Sequence, residues 1–543
     1  MVIQPVVRPQ RRRSIRRVAL WVAGLAILAC AVGAGVVLLR PQVNVSPDSE
    51  ALGHISLSGL EGRVVAVSVQ RVDGGTVPVA LRSGKLWPRK PIPVSERLVV
   101  RVTLRRSTWA GWLLGRTATK TFALQAPVAH LRRRWLLAPR SGPVTLAFSS
   151  PVREVRIRQG GRTRTLRFAT PHSRVVVGRV APGRPRAGSA MVSAVPRSWE
   201  TMPLPLRVNW FPAGNGIQAL AEPSPGEPLP PEQPITITFA KPIRQVVGGR
   251  FPTIGPNVHG SWEAPDAHTI VFRPARFGYP LGGHVGVHLP EKLRFAAQAR
   301  THTLRTVAWN VPAGSILRLH QLLARAGYLP LAWQPATDSP ATARSEAAAA
   351  IDPPAGRFTW RYPNTPRELS ALWKPAKWNE ITRGAVMMFE DTHGLDVDGF
   401  VGPKVWNALL TDTLAGRLHG GGYSYVYVHR NVPQSLKLWH NGKVILTSPG
   451  NTGVPAAPTQ LGTFPVFEHI PIGTMSGTNP DGTHYHDPGI RYISYFNHGD
   501  AIHAFTRASF GTPQSLGCVE LPLAAAATVW PYTPIGTLVT IEN

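Results

Sequence analysis

The residues with the clearest chemical potential are a cysteine and a histidine near the C-terminus. Cys518 lies in the segment 515–520, and His503 precedes it by fifteen residues. The chain has 2 cysteines, and the other, Cys30, lies in an apolar run of membrane length, which argues against a disulfide between them. A thiol attacks an acyl carbon as a thiolate and needs a base such as imidazole within hydrogen-bond reach. The pair therefore predicts Cys518 as a nucleophile with His503 as its general base.

Short elements are expected to bring the two side chains together. His503 lies in the alternating run 501–505, which predicts a strand, and a loop can return the chain beside it. Gly517 directly precedes Cys518, and a glycine there lets backbone N–H groups approach a developing oxyanion. The alternative is a buried structural cysteine beside a core histidine.

These motifs resemble the catalytic domain of the L,D-transpeptidases. The resemblance covers about residues 423–543 and includes the histidine, the Ser-x-Gly-Cys-Val turn and an upstream Pro-Thr-x-x-Gly-Thr-Phe segment, 458–464. It implies that Cys518 is the nucleophile and that His503 is the general base and later the acid. The Ala504 carbonyl would orient the imidazole. The implied oxyanion hole comprises the amides of Leu516, Gly517 and Cys518.

A second set of residues is predicted to contact the substrate. We interpret the segment 483–489 as a loop over the active site, with an apolar wall made by Tyr485, Tyr492 and Tyr495. A solvated loop without a role is the alternative, and the spacing of the histidines and the carboxylate in it does not favour a zinc site. The predicted substrate-binding residues are Tyr485, His486, Tyr492, Ser515 and Glu520.

Two positions depart from the family pattern. The second histidine of the family turn is Leu516 here, which leaves the backbone amide in place. The arginine or asparagine that the family commonly has two residues beyond the cysteine is Glu520. An anion at that position predicts an altered preference for the acceptor or the stem peptide.

The N-terminus predicts a membrane anchor. Six arginines between Arg8 and Arg17 precede an uncharged run, Val18 to Leu39, which is long enough as a helix, about 33 Å, to cross a bilayer. A signal peptide would have a shorter apolar region, and a lipoprotein site at Cys30 is a further alternative. Positive charge before the span predicts a single-pass cell-membrane protein with a cytoplasmic N-terminus and an extracytoplasmic catalytic domain.

The charge of the chain predicts anionic partners. The formal net charge is +31 and the isoelectric point is near 11.3, and such a field attracts polyanions. Because the predicted topology places most of the chain outside the cytoplasm, anionic wall polymers are favoured over nucleic acid. An arginine-rich genome or adaptation to an acidic medium would explain this positive charge equally well.

The composition and periodicity predict a mainly β, multidomain protein. After an N-terminal tail and anchor (1–45), three β modules are expected at 46–125, 126–215 and 216–311, the last two as Ig-like sandwiches. The segment Pro143–Arg153 aligns with Pro234–Arg244, which indicates two copies of one unit unless the similarity is chance. The proline-rich stretch Pro223–Pro234 is expected to be the linker between them.

Helical spacing begins at residue 313. Helices are predicted around residues 316–326, at 379–393 and from Pro403 onward. The segment between the second and third helices resembles the corresponding segment of the three-helix peptidoglycan-binding domain. This domain is assigned to 312–418, with an unusual insert at 331–377, and a purely structural spacer is the alternative. The catalytic domain follows at 419–543 and is predicted to be mostly β, with helical signal only at 523–529.

The sequence therefore predicts a membrane-anchored L,D-transpeptidase. As the resemblance implies, Cys518 would form a thioester with a peptidoglycan stem peptide, and an amine of a second stem would resolve it into a 3→3 cross-link. No cofactor or metal is required. An L,D-carboxypeptidase, in which water resolves the same thioester, and a non-catalytic wall-binding scaffold are the alternatives.

Overall fold

A computed structural model describes most of the 543-residue chain. The described residues are 20–30, 42–58, 62–106, 115–139, 141–180, 187–213, 217–256, 258–297 and 300–543. The chain divides into two compact units, Met1–Gly214 and Asn215–Asn543.

The predicted membrane anchor lies mostly outside the described residues. Of the run 18–39, residues 20–30 are described, and they form a helix with exposed side chains. Among the helices in the described part of the chain, none has the length and apolar character needed to cross a membrane. The anchor and the topology derived from it remain predictions.

The first unit begins with two four-stranded sheets around one apolar core. The strand Arg97–Arg106 shows why: Leu98, Val100, Val102 and Leu104 alternate with polar residues and are all buried. One sheet has the order Gln42–Ser46, Gly53–Ser58, Lys85–Pro88, Val79–Arg82. The other has the order Thr76–Val77, Gly62–Arg71, Arg97–Arg106, Thr117–Gln125.

The rest of the first unit is one continuous five-stranded sheet. Its order is Trp135–Ala138, Leu206–Pro212, Gly188–Val195, Gly142–Gln159, Arg162–Val180. An Ig-like sandwich would have two separate sheets here, whereas the structure has one. The strand Gly142–Gln159 pairs with Arg162–Val180 on both sides of a register shift between Ala147 and Val152. A short parallel pair, Ile92–Pro93 with Glu200–Thr201, is also present in this unit.

The second unit begins with a single seven-stranded sheet. Its main order is Thr253–Gly255, His284–Ala297, Gln218–Glu222, Ile235–Phe239, Thr269–Pro274, Gly260–Asp266, and Arg300–Asn310 also pairs with His284–Ala297.

Two expectations about this β module are corrected. The stretch Pro223–Pro234 is not a linker between domains, because it connects two neighbouring antiparallel strands of this sheet and buries Leu229 completely. The aligned segments Pro143–Arg153 and Pro234–Arg244 also diverge. The first lies within one long strand, whereas the second ends its strand at Phe239 and enters a short helix, Ile243–Val246.

The three predicted helices are present, at Ile316–Ala326, Glu380–Thr392 and Pro403–Ala415. Their ends carry the expected signals: Ser315 and Asn379 accept a backbone N–H at two N-termini, and Gly327 and Gly416 close two C-termini in the left-handed region. The insert is folded. It contains the paired strands Leu331–Pro335 and Gly356–Trp360 and the helices Ala343–Ile351 and Arg367–Ala371.

The helical region and the predicted catalytic domain, 419–543, share one apolar core. Tyr423, Tyr425, Trp439 and Leu538 of the catalytic domain belong to the same buried cluster as the helices. The two backbones approach closely at Gly384, because a Cβ there would lie 2.4 Å from the carbonyl oxygen of Gly536. The helices therefore form part of the support of the catalytic domain.

The catalytic domain contains two sheets. The sheet against the helices has the order Lys443–Pro449, Ser435–His440, Ser424–His429, Leu538–Glu542, Gly462–Pro465. The second has the order Glu468–Thr478, His484–Asn497, Asp500–Ala504, Val519–Leu521. A buried cluster fills the space between them, and the helix Leu523–Val529, predicted from sequence, packs into it and is followed by a 3₁₀ turn, Trp530–Tyr532.

Candidate active site

A parallel pair of short strands positions the predicted nucleophile and base. The strand Asp500–Ala504 pairs with Val519–Leu521 in a register that sets Ile502 opposite Val519 and His503 opposite Glu520. In paired strands, residues directly opposite each other point to the same face of the sheet, and successive residues along a strand point to opposite faces. His503 and Glu520 therefore lie on one face. Cys518, one residue before Val519, continues that face. The structure thus places the predicted thiol and imidazole on the same face at the end of this strand pair.

The imidazole of His503 is held in one orientation. It is 3% exposed, and its Nδ1 lies 3.0 Å from the Ala504 carbonyl oxygen, as the resemblance implied. A carbonyl can only accept, so Nδ1 carries the proton and the neutral ring keeps Nε2 free as a base. Burial lowers the pKa of His503, and the charges of Glu520 and Asp487 oppose this shift. The histidine is therefore a neutral acceptor near neutral pH.

The surroundings of the Cys518 thiol favour its protonated form. It packs against an apolar cluster that contains Ile490 and Ile493, together with Phe505 and Tyr495. Burial, with the nearby charges of Asp500 and Glu520, raises the pKa of Cys518 to about 12. The thiol donates weakly to the Gly499 carbonyl at 3.7 Å, and no bond from it to His503 occurs within the described residues. A nucleophilic role of Cys518 would therefore need a base to take the thiol proton.

The turn before the cysteine depends on Gly517 and Ser515. Gly517 has φ +120°, and a Cβ there would lie 2.2 Å from Oδ1 of Asp500, so no other residue fits without movement. The Ser515 hydroxyl donates to the Cys518 carbonyl at 2.6 Å and accepts the Gly517 N–H at 3.3 Å. Ser515 is buried and holds the turn, whereas the sequence analysis placed it against the substrate.

The predicted oxyanion hole is partly available. The Gly517 amide already has the Ser515 hydroxyl as its acceptor. The amides of Leu516 and Cys518 have no hydrogen-bond acceptor in the part of the chain that the structure describes. These two donors, next to the thiol, are suited to an oxygen that becomes negative during acyl transfer.

The predicted loop over the site is a long hairpin, Glu468–Thr478 and His484–Asn497. Tyr485 and Asp487 are half-buried on its inner face, and Tyr495 packs beside Cys518. Burial raises the pKa of both Tyr485 and Tyr495, and the charge that Cys518 carries when it is ionised adds to this effect. These two tyrosines therefore line the approach to the thiol.

Two other predicted substrate residues point elsewhere. His486 is exposed, in alternation with the inward residues 485 and 487. Tyr492 packs against the core between the sheets, with its ring 6.1 Å from that of Trp530. Asp487 was not predicted from the sequence to be an inward-facing carboxylate, although strand alternation places residue 487 on the same face as residue 485.

Glu520 is a buried ion-pair partner. The residue is 3% exposed, and its carboxylate accepts two hydrogen bonds from Arg507, Nε to Oε2 at 2.8 Å and Nη2 to Oε1 at 2.6 Å. The guanidinium also lies 4.6 Å above the ring of Phe505. Sequence reasoning missed Arg507, because no local pattern links a residue in the loop after His503 to position 520.

This arrangement can perform acyl transfer through a cysteine. The face of the paired strands offers a thiol, a neutral imidazole with a fixed tautomer and two free amides at the turn. These are the parts that nucleophilic catalysis at a carbonyl requires.

Comparison with known proteins agrees with this geometry. The model of the YkuD family, L,D-transpeptidase catalytic domain, matches residues 424–541. No curated protein matches the chain significantly.

Several solved structures are similar to the chain. An L,D-transpeptidase from Mycobacterium smegmatis is 12% identical, with 61% of this chain and 100% of that chain covered and a TM-score of 0.21. L,D-transpeptidase 3 from Mycobacterium tuberculosis is 12% identical, with 60% and 97% covered and a TM-score of 0.20. The catalytic domain of the E. faecium L,D-transpeptidase is 27% identical, with 22% and 96% covered and a TM-score of 0.21. By the family match, residues 424–541 are an L,D-transpeptidase catalytic domain of the YkuD family.

Proposed function

We propose that this protein is a cysteine-dependent L,D-transpeptidase that forms 3→3 cross-links in peptidoglycan. The observation that carries the proposal is the strand pairing that sets Cys518 and His503 on one face, with Nδ1 of the histidine on the Ala504 carbonyl. The family match at residues 424–541 supports the same class of reaction.

The proposed acylation begins with the neutral pair. Nε2 of His503 takes the thiol proton as Sγ of Cys518 attacks the carbonyl between the third stem residue and the following D-Ala. The carbonyl oxygen becomes an oxyanion, and the amides of Leu516 and Cys518 stabilise it. Collapse expels D-Ala, whose amine takes the proton from the imidazolium, and leaves a thioester on Cys518.

Deacylation uses the same groups in reverse. The side-chain amine of a second stem attacks the thioester, and His503 accepts a proton from that amine. The thiolate leaves and regains its proton from the imidazolium. The product is an amide bond between two third-position residues, and the free thiol is restored.

Product analysis tests this function. Purified full-length protein in detergent is incubated with tetrapeptide muropeptides, and products are separated and sequenced by mass spectrometry. We expect free D-Ala and a 3→3 linked dimer, neither of which should form with Cys518→Ala. D-Ala with tripeptide alone would identify a carboxypeptidase, and no product with correctly folded protein would favour a wall-binding scaffold.

We also propose that residues 18–39 anchor the protein in the cell membrane with the catalytic domain on the wall side. The arginine cluster before this run supports that orientation. Fractionation of cells should find the full-length protein with the membrane, and protease added outside spheroplasts should degrade the catalytic domain. Recovery of the protein in the cytosol would contradict this topology.

A further inference from the structure

The ion pair between Arg507 and Glu520 leaves part of the guanidinium unused. Arginine has five N–H donors. The Nε donor and one Nη2 donor bind Glu520, and Nη2 also lies 3.2 Å from the Gln514 carbonyl oxygen. Nη1 has no hydrogen-bond acceptor among the residues that the structure describes. The Arg507 side chain as a whole is 30% exposed, so it is partly open to solvent.

The surroundings fix the guanidinium in place. Glu520 holds one edge with two hydrogen bonds, and the ring of Phe505 lies under the cation at 4.6 Å. Glu520 is itself held between Arg507 and the main chain, because its backbone exchanges two hydrogen bonds with Asn451. A cation fixed on two sides presents its free edge with little loss of side-chain entropy on binding.

This cation lies next to the reacting groups. The ring of Phe505 meets that of His503 edge to face, with centroids 5.9 Å apart, and Phe505 packs in the same cluster as Cys518. The charge of Arg507 also acts on His503, where it adds to the lowering of the pKa by burial. The ring of Phe505 therefore contacts both the guanidinium of Arg507 and the imidazole of His503, which places the cation one aromatic side chain away from the predicted base.

We infer that Arg507 is a substrate-binding residue whose free Nη1 edge binds a carboxylate of the donor stem peptide. This inference rests on the proposed function and names the recognition group of the same site. Two carboxylates have the required chemistry: the C-terminal carboxylate of the D-Ala that leaves, and a second carboxylate on the third residue where that residue is a diamino dicarboxylic acid. Charge-assisted hydrogen bonds from arginine favour such a group over a neutral amide.

Asp487 adds a negative charge to the surroundings of Arg507. It is half-buried on the inner face of the hairpin, and its charge, after the hydrogen bonds to Glu520, contributes to raising the pKa of Arg507. This charge would oppose the binding of a substrate carboxylate. Consequently Asp487→Asn is expected to strengthen the preference for an acidic substrate.

The test compares paired substrates across paired variants. Release of D-Ala or D-alaninamide is measured for a tetrapeptide with a free C-terminal carboxylate and for its C-terminal amide. A second pair carries either a diamino dicarboxylic acid or lysine at the third position. The proteins are wild type and the double variant Arg507→Gln/Glu520→Gln, which removes both charges together and leaves no buried carboxylate unpaired. Arg507→Lys is added because it keeps the charge and loses the fixed fork.

One of the two substrate pairs should differ in the carboxylate that Arg507 binds. For that pair, the kcat/KM of wild type should be about 10- to 100-fold higher for the acidic substrate than for the neutral one, the range for a hydrogen bond to a charged group. The double variant should reduce this ratio to within about twofold, and Arg507→Lys should lie between them. Intrinsic differences in leaving-group reactivity cancel when the ratios of two proteins are compared. The pair that responds identifies which carboxylate is bound. Alkylation of Cys518 by iodoacetamide, a neutral probe, is measured on each protein, so that a change in thiol reactivity is separated from a change in substrate preference.

An acid preference that survives in the folded double variant would overturn the assignment to Arg507, as would equal turnover of acid and neutral substrates by wild type in both pairs. Either result would leave the transpeptidase function intact. Failure of the transpeptidase function would give a different result. None of the substrates would then release D-Ala, although iodoacetamide would still modify Cys518.

Discussion

Glu520 lies opposite His503 in the parallel strand pair, and its buried carboxylate is bound by Arg507. The anion that replaces the commoner family residue therefore does not face the substrate as a free charge. A cation is still present beside the reacting groups, but it comes from the loop after the histidine. This relationship changes what is expected of a substitution at position 520.

Restoring the commoner residue should be harmful. Glu520→Arg would bury a cation against Arg507, so we expect loss of folded protein or a decrease in stability of about 3–5 kcal/mol, the cost of breaking a buried pair. The exchange Arg507→Glu/Glu520→Arg restores opposite charges and should recover most of the melting temperature. Thermal unfolding of both variants checks this. A single Glu520→Arg variant as stable as wild type would contradict the buried pair.

Carbapenems should acylate one residue. As the family resemblance implies, their strained lactam carbonyl substitutes for the scissile bond. Mass spectrometry of the digested adduct should place it on the peptide that contains Cys518. Cys518→Ser should form no adduct, because a serine hydroxyl is far less ionised than a thiol that can transfer its proton to imidazole. An adduct retained in that variant would mean that another residue is the nucleophile.

Removal of the base should slow acylation strongly. His503→Ala should decrease the acylation rate by about 10²–10⁴-fold, the usual contribution of general-base catalysis. Stopped-flow fluorescence with a carbapenem measures this rate. His486→Ala is the matched control, because that histidine is exposed on the outer face of the hairpin, and it should stay within about twofold of wild type.

The pH dependence of the thiol should follow from its burial. Burial raises the pKa of Cys518 to about 12, so alkylation by iodoacetamide should keep rising with pH well beyond the ordinary thiol value near 8.5. Burial lowers the pKa of His503 from its ordinary value of 6.5, so acylation by substrate should persist below pH 6.5 and then decline as the imidazole is protonated. A plateau of alkylation below pH 8 would indicate a preformed thiolate instead.

The packing of the helices on the catalytic domain should affect activity. Gly384→Ala introduces a methyl group 2.4 Å from the Gly536 carbonyl, so we expect a loss of about 1–3 kcal/mol in stability and reduced turnover. Gly420→Ala is the control, since a Cβ there meets no atom within 4 Å. Chemical denaturation and turnover are measured on both. Equal behaviour of the two variants would show that the helices are an independent module.

Local signals were sufficient to predict the main elements and to single out Cys518 and His503 as the candidate pair. Helix caps at Ser315, Asn379 and Gly327 and the proline at 403 act within one turn of chain, so the helix positions could be predicted. Cys518 and His503 could be found because a lone thiol after a glycine turn and a histidine in a strand are both visible locally. The carbonyl of Ala504 follows from the histidine by one residue.

Tertiary structure decided which neighbours surround that pair. The strand His484–Asn497 has a register shift opposite Gly473 and Thr474, and Tyr492 adopts φ +62°, so a period of two could not assign its faces throughout. This is why Tyr495 lines the site and Tyr492 does not. The same holds for Arg507, whose pairing with Glu520 joins two segments through space, and for the core shared by the helices and catalytic strands. Such contacts depend on packing between distant segments. Helix caps, turns and the Cys–His motif depend instead on residues that are close in sequence.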